Sequence, residues 1–300
     1  MTCCKNDGKR QEEKPPSKTR GHVAIVGSPN VGKSALFGQL SKSYVTVSNY
    51  PGTTVDLSKA SFVHAGYAYE LTDTPGMYSF FPMTEDEKVT RRILTRDRPD
   101  AVLHVVDAKK IEEMLPLTLQ LIEAGLPLVL VLNILDEAEK EGVSIDIEGL
   151  SQTLGVPVVG TVCTTGQGIA DLRETIAQTV NKAFDVPNYT INYGRLTENA
   201  LQELASIFEG NFGKLPFSYR SAALLYLRHD EDMEEVVEDC LSSDESLKKR
   251  VENIRGELIE NLPEPLDYQV AVRQKEEAGE ITSRFVNEQQ RSLRSFRDKL

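Results

Sequence analysis

One run of eight residues, Gly27-Ser28-Pro29-Asn30-Val31-Gly32-Lys33-Ser34, constrains the fold of this chain more than any other stretch. It fits G-x-x-x-x-G-K-[ST], the phosphate-binding loop of nucleotide hydrolases. Residues 22–26 read as a buried strand and residues 34–40 as the opening of a helix. Strand, glycine loop and helix form the context that turns the pattern into a site. The chemistry accounts for the residue types. Gly27 and Gly32 let the backbone approach phosphates, and the loop amides, Asn30 and Val31 included, point N–H groups inward. The helix N-terminus adds partial positive charge. Lys33 is placed to reach the β- and γ-phosphates, and the Ser34 hydroxyl to reach Mg²⁺. The pattern alone leaves ATP and GTP open.

Three later motifs bear on that choice. Asp73-Thr74-Pro75-Gly76 follows a strand over 67–72, so Asp73 is placed to hold Mg²⁺ through water and Gly76 to present its N–H to the γ-phosphate. Asn133-Ile134-Leu135-Asp136 ends an apolar strand over 128–132. The Asp136 carboxylate can accept from the N1–H and exocyclic amine of guanine, whereas adenine would leave it unpaired. Asn133 can brace the loop and touch the base edge. Cys163-Thr164-Thr165-Gly166 follows a strand expected over 156–162, and a backbone N–H there can donate to guanine O6; a plain polar loop before a helix is the competing reading. Together the motifs select GTP. Between the first helix and the next strand lies Tyr50-Pro51-Gly52-Thr53-Thr54, a loop able to close over Mg²⁺ and the γ-phosphate and to release after hydrolysis. Thr54 is the expected switch residue, with Thr53 the alternative.

The motif order resembles translation-factor-type GTPases. Finer matches resemble the cytosolic GTPase domain of the ferrous iron transporter B (FeoB) family: Asn49-Tyr50-Pro51-Gly52-Thr53-Thr54-Val55-Asp56, Asp73-Thr74-Pro75-Gly76-Met77-Tyr78-Ser79, Asn133-Ile134-Leu135-Asp136 and the run from Leu117 to Pro127. The likeness covers residues 21–183 well and the region beyond loosely. Met77 stands where many GTPases carry a water-orienting Gln, and no Arg is identifiable as an internal finger. The resemblance implies that Asn30 helps bind K⁺, whose charge stands in for the finger, with backbone carbonyls before Thr54 completing the site and Asn49 at the matching switch position. It therefore implies slow, K⁺-stimulated GTP hydrolysis. Asn30 also suits a plain turn after Pro29. Ile134 replaces a frequent Lys, Cys163 a common Ser and Gly38 a helical Asn; none of these removes a required group.

The expected fold is α/β: a P-loop GTPase domain with a mixed, mostly parallel sheet over 21–184, followed by an all-helical domain. A hairpin near residues 64–67 makes the sheet mixed. Helices are expected near 84–97, 111–124, 146–154 and 168–183, and residues 185–188 read as a linker. Beyond it, strand signals vanish. Residues 197–208, 217–229, 231–241 and 245–260 read as helices of a bundle over 189–265, and residues 266–298 as one further helix leading toward a membrane segment or partner. The acidic start at Asp230-Glu231-Asp232 reads as a solvated helix face.

Apolar residues make up 40% of the 300, enough for real cores, and the net charge of −12 argues against nucleic-acid binding. Cys3, Cys4, Cys163 and Cys240 fit neither a metal ribbon nor a disulfide framework. No apolar run reaches the length of about 20 residues that spans a bilayer, and no signal peptide is legible. Residues 1–20 read as a basic, disordered tail. Near the end, Arg291, Arg294, Arg297 and Lys299 flank Leu293, Phe296 and Leu300, as positive charge does on the cytoplasmic side of a membrane segment. The expectation is a regulatory GTPase module of bacterial ferrous iron uptake at the cytoplasmic face of the inner membrane. It would act on a membrane-embedded transporter segment, in the same longer chain or a separate subunit, with oligomers forming through that part. A soluble ribosome-assembly GTPase and a non-hydrolysing nucleotide-binding adaptor are the alternatives.

Overall fold

The computed structural model describes residues 19–41, 45–182 and 189–288. The basic tail up to residue 18, with Cys3 and Cys4, the linker at 185–188 and the basic C-terminal residues lie outside them.

A seven-stranded sheet organises the first half. Its strands are β1 (Thr19–Val26), β2 (Thr46–Asn49), β3 (Asp56–His64), β4 (Tyr67–Asp73), β5 (Ala101–Asp107), β6 (Leu128–Asn133) and β8 (Val158–Gly160), in the order β2-β3-β4-β1-β5-β6-β8. Neighbours from β4 to β8 pair in parallel, and the β2–β3 and β3–β4 pairs are antiparallel. The sheet is mixed and mostly parallel, as the alternation of strand and helix patterns predicts.

The central strands are buried on both faces, so they read as continuous apolar runs. Val23 and Ile25 of β1 face one core with Leu36 and Phe37 of α1 (Lys33–Leu40) and Leu172 and Ile176 of α6 (Ile169–Val180). Ala24 and Val26 face the other with Leu115 and Leu119 of α3 (Ile111–Glu123) and Leu150 of α5 (Ile147–Leu154).

That second core continues without a break into the helical half: α7 (Arg195–Asn211), α8 (Tyr219–Leu227), α9 (Glu231–Leu241), α10 (Glu245–Asn261) and α11 (Leu266–Phe285). Side-chain caps from Ser218, Asp230 and Asp244 start α8, α9 and α10; α9 and α10 begin where the sequence placed them, and α8 two residues later. The acidic start of α9 is not simply solvated. Asp230 and Asp232 both pair with Arg91, a buried residue of α2 (Glu85–Arg92). Helix α2 opens with a capping box between Thr84 and Glu87 and passes into a π-turn over Ile93–Asp97.

Two expectations of extent are corrected. The strand expected over 156–162 is ordered as β8 only at 158–160, because Thr161 onward turns into the loop before α6. The helix expected over 266–298 ends at Phe285. There the chain forms a short strand β9 (Val286–Glu288), antiparallel to β7 (Val143–Ile145). Backbone pairing to a distant strand, which helical periodicity does not report, ended it.

Candidate nucleotide site

The five parallel strands deliver their carboxyl ends to one edge of the sheet. Ile25 lies beside Asp73, Val26 beside His104, Asp107 beside Asn133 and Leu132 beside Gly160. Every motif loop starts at that edge, on either side of β1, where open α/β sheets place their ligands.

The glycine loop has the backbone its sequence demands. Gly27 and Gly32 sit at φ 142° and 92°. A Cβ on Gly27 would collide with the Val105 carbonyl, and one on Gly32 with the Asn133 side-chain amide. Asn30, exposed at the crest, is left-handed at φ 65°, a conformation Asn tolerates better than most residues. Its turn role is therefore real, and its side chain makes no hydrogen bond among the described residues. Lys33 is buried, and its Nζ donates to the carbonyls of Gly27 (3.0 Å) and Ser28 (2.9 Å). Burial lowers its pKa, and the Asp73 carboxylate opposes that shift. The ammonium thus rests on its own loop, at the position where a phosphate would compete for it.

Ser34 Oγ donates to Asp73 Oδ2 at 3.0 Å, while Asp73 Oδ1 is buried with no hydrogen-bond partner among the described residues. Burial raises the Asp73 pKa, against the pull of Ser34 and Lys33. A buried carboxylate oxygen without a donor is expensive. A divalent cation held by Ser34 and, through water, by Asp73 would satisfy it, so the residues present fit Mg²⁺. Gly76 lies directly against the loop: a Cβ there would come within 2.6 Å of Pro29 Cγ. Met77 N–H donates to the Gly27 carbonyl at 3.1 Å, and the Met77 side chain is fully buried in the core. No side chain from that position reaches the edge where water would attack.

The base-side loops are braced together. Asn133 donates through Nδ2 to the Val31 carbonyl (3.0 Å) and accepts at Oδ1 from Thr161 Oγ1 (3.2 Å) and Cys163 N–H (3.3 Å). One buried side chain therefore links the glycine loop to the 163–165 loop, and its polar atoms are spent on that link. Asp136 stands on α4 (Leu135–Lys140), partly exposed, and hydrogen-bonds Lys140 at 2.9 Å, which lowers its pKa and keeps it ionised. Ile134 adopts φ 64° at the turn into α4. In the 163–165 loop the amide of Cys163 goes to Asn133 and that of Thr165 to Val162, leaving the Thr164 N–H without a partner among the described residues. The Cys163 thiol is buried, which raises its pKa.

In the 50–54 loop the two threonines divide. Thr53 is absorbed by the turn, its Oγ1 donating to the Tyr50 carbonyl at 3.0 Å and accepting from Val55 N–H at 3.3 Å. Thr54 is exposed, and its hydroxyl has no partner among the described residues. Among those residues no hydrogen bond joins this loop to the glycine loop.

One set of residues near the site was given no role by the sequence motifs. Gln120 of α3 accepts from Phe80 N–H (2.7 Å) and Ser79 Oγ (3.1 Å), just after Gly76, and donates to Gln274 of α11 (2.7 Å). Gln274 donates to Tyr193 (3.2 Å), which donates to Glu123 (2.8 Å), and Arg220 joins Glu123 to Glu198. Only the sequence pattern of a Gln and a Glu inside an apolar helix, in the run from Leu117 to Pro127, could have marked its start.

Comparison with known proteins gives these contacts a context. Residues 21–176 match the family model described as ferrous iron transport protein B, and residues 193–287 match that of the FeoB cytosolic helical domain. A Fe(2+) transport protein A/Fe(2+) transporter FeoB fusion protein of Porphyromonas gingivalis is 40% identical over 229 residues, 73% of this chain and 27% of its own length. An Fe(2+) transporter FeoB of Helicobacter pylori is 43% identical over 139 residues, 46% of this chain and 22% of its own. The matches thus span about a quarter of these curated relatives. Among solved structures, the cytosolic domain of the T. maritima FeoB iron transporter in apo form superposes with a TM-score of 0.74 at 29% identity, covering 89% of this chain and 99% of that one. A GDP-bound point mutant of the S. thermophilus FeoB G-domain gives 0.79 at 28% identity, covering 90% and 100%.

Proposed function

The chain belongs to the ferrous iron transport protein B family, and from that premise we propose that it binds and hydrolyses GTP to regulate ferrous iron passage through a membrane-embedded segment. The single observation that carries the nucleotide part is the convergence of four loops, from β1, β4, β6 and β8, on one sheet edge around Lys33, Ser34, Asp73 and Asn133.

The roles follow from chemistry. Lys33 exchanges two loop carbonyls for phosphate oxygens, and the amides from Gly27 to Ser34 line the phosphates. Ser34 and Asp73 hold Mg²⁺, with Thr54 closing from the switch loop. Bound Mg²⁺ supplies neutralisation of phosphate charge. Gly76 offers its N–H to the terminal phosphate. Asp136 accepts from the guanine edge, and the Thr164 amide donates to O6, with Cys163 and Thr165 holding that loop in shape. With Met77 buried, water is ordered by backbone groups, and K⁺ held by Asn30 supplies the positive charge that an Arg finger gives elsewhere. Turnover is slow without a partner. The helical half carries the switch state toward the transporter segment, at the cytoplasmic face of the inner membrane. Among the described residues no helix is long and apolar enough to cross a membrane.

Phosphate release from GTP, with Lys33→Ala as the comparison, tests this. The unmutated chain should turn over GTP and not ATP, and the variant should lose nucleotide binding. A chain that binds neither guanine nucleotide, or a variant that binds unchanged, overturns the reading.

A further inference from the structure

We propose that β9, the short strand at the exit of α11, is a positioning element for the base-reading helix α4, so that guanine selectivity depends on where the chain leaves the helical half. This rests on the reading of Asp136 as the base-binding carboxylate.

Helix α4 has six residues, too few to be stable alone. Its start is fixed by the sheet: Leu135 packs against Gly160 of β8, and Leu135 N–H reaches the Thr161 carbonyl at 3.4 Å. Its outer side is held by Glu137 pairing with Lys109 at 2.5 Å. Its far end runs through Gly142, at φ 85°, into β7. Strand β7 does not join the large sheet; among the described residues its one strand partner is β9. Val143 faces Glu288, Ser144 faces Asn287 and Ile145 faces Val286. The ribbon continues past both strands. Asp146 N–H donates to the Phe285 carbonyl at 2.9 Å, and a Cβ on Gly149 of α5 would lie 2.8 Å from the Phe285 ring.

Helix α4 is therefore held at its start by β6 and β8, along its length by buried Ala138 and by Lys109, and at its far end through β7 by the tail of α11, which is itself fixed along α3 by the Gln120–Gln274 bond. Moving the end of α11 moves β7 and tilts α4, and with it Asp136, against the loop that carries Thr164. A carboxylate reading two base donors loses discrimination when its geometry slips. By linkage, base binding in turn steadies the ribbon.

The test uses the full 300-residue chain and compares GDP with inosine diphosphate, which lacks the exocyclic amine. Asn287→Pro removes an amide N–H from the ribbon, and Asn287→Ala keeps it. The proline variant should lose about tenfold of the preference for GDP, the equivalent of one lost base contact, while the alanine variant stays within about twofold. In the nucleotide-free protein, amides 136–142 should exchange faster in the proline variant alone. A ribbon that serves only as a staple would lower stability and leave the preference unchanged, and that result overturns the proposal. A Ser144→Cys, Asn287→Cys pair keeps the test sharp should the proline variant misfold, since directly opposed residues suit a disulfide. Its oxidised form should release GDP more slowly than its reduced form; equal rates overturn the proposal. If the unmutated chain shows no preference for GDP over inosine diphosphate, the base-site reading itself falls and takes this proposal with it.

Discussion

The side-chain amide of Asn133 donates to the backbone carbonyl of Val31 at 3.0 Å, joining the end of β6, which leads into α4, to the middle of the glycine loop. Gly32 has no room for a side chain because that amide occupies the space. Asn133→Ala should therefore act on both ends. It strands the Val31 carbonyl and frees the Cys163 amide, at a cost of about 1–3 kcal/mol. Urea unfolding of the nucleotide-free chain measures the loss, and GDP titration should show weakened binding beside it.

Asp136→Asn should weaken GTP and shift preference toward xanthosine nucleotides, because an amide presents a donor where guanine also presents donors. Calorimetric titration with both nucleotides checks it. Unchanged GTP affinity would mean that the base is read elsewhere.

Asn30→Ala should abolish stimulation by K⁺ while leaving nucleotide binding largely intact. The residue's exposed side chain has no hydrogen-bond partner among the described residues, so truncation would remove the proposed K⁺ ligand, while the strain of Ala at φ 65° weighs on the loop equally in either salt. Phosphate release in KCl and NaCl gives the comparison. Equal rates for the unmutated chain in the two salts would sink the K⁺ assignment.

His104 lies on β5 beside Val26, fully buried, with Nδ1 3.0 Å from Thr118 Oγ1. Burial, reinforced by the Lys33 charge, pushes its pKa down to about 3. The unfolded chain therefore binds more protons than the folded one between about pH 6.5 and 3, and stability falls as pH falls through that window. The contribution is fully present above pH 6.5 and shrinks by about 1.4 kcal/mol per pH unit below it. Urea unfolding of the unmutated chain and of His104→Gln, compared from about pH 7.5 to about pH 5, should show a stability difference that is flat at the top and changes below about pH 6.5.

Gln274→Leu should destabilise the chain by about 1–3 kcal/mol, because it leaves the Gln120 amide buried without an acceptor. Gln120→Leu adds an unpaired Phe80 N–H. The double variant should cost less than the sum of the singles, since both cut one network. Additive losses in a double-mutant cycle would show that the two glutamines act separately.

Much of this arrangement was legible in the linear sequence because its causes are local. A glycine loop needs its positive φ angles from Gly27 and Gly32 whatever surrounds it. Apolar runs mark doubly buried strands, and the acidic residues from Asp230 mark the opening of α9. What stayed hidden is non-local. The sequence prefers Thr54 to Thr53, but only the fold of the turn occupies Thr53 and leaves the Thr54 hydroxyl without a partner among the described residues. The acidic start of α9 reads as a solvated face until Arg91, from a helix far away in the chain, is seen to claim Asp230 and Asp232.

The sequence alone determined the chemistry available: a phosphate-loop motif, carboxylates at Asp73 and Asp136 on the motif loops, and a helical half with no strand periodicity. Tertiary structure decided which of those groups are free to act. Among the described residues it spent Asn133 on a brace, left one of three loop amides unpaired at 163–165, buried Met77 and stopped α11 at Phe285 to form β9. The physical reason is that periodicity and motif spacing report local backbone preference, whereas a hydrogen bond between residues such as Gln120 and Gln274, 154 positions apart, exists only once packing has removed water from both.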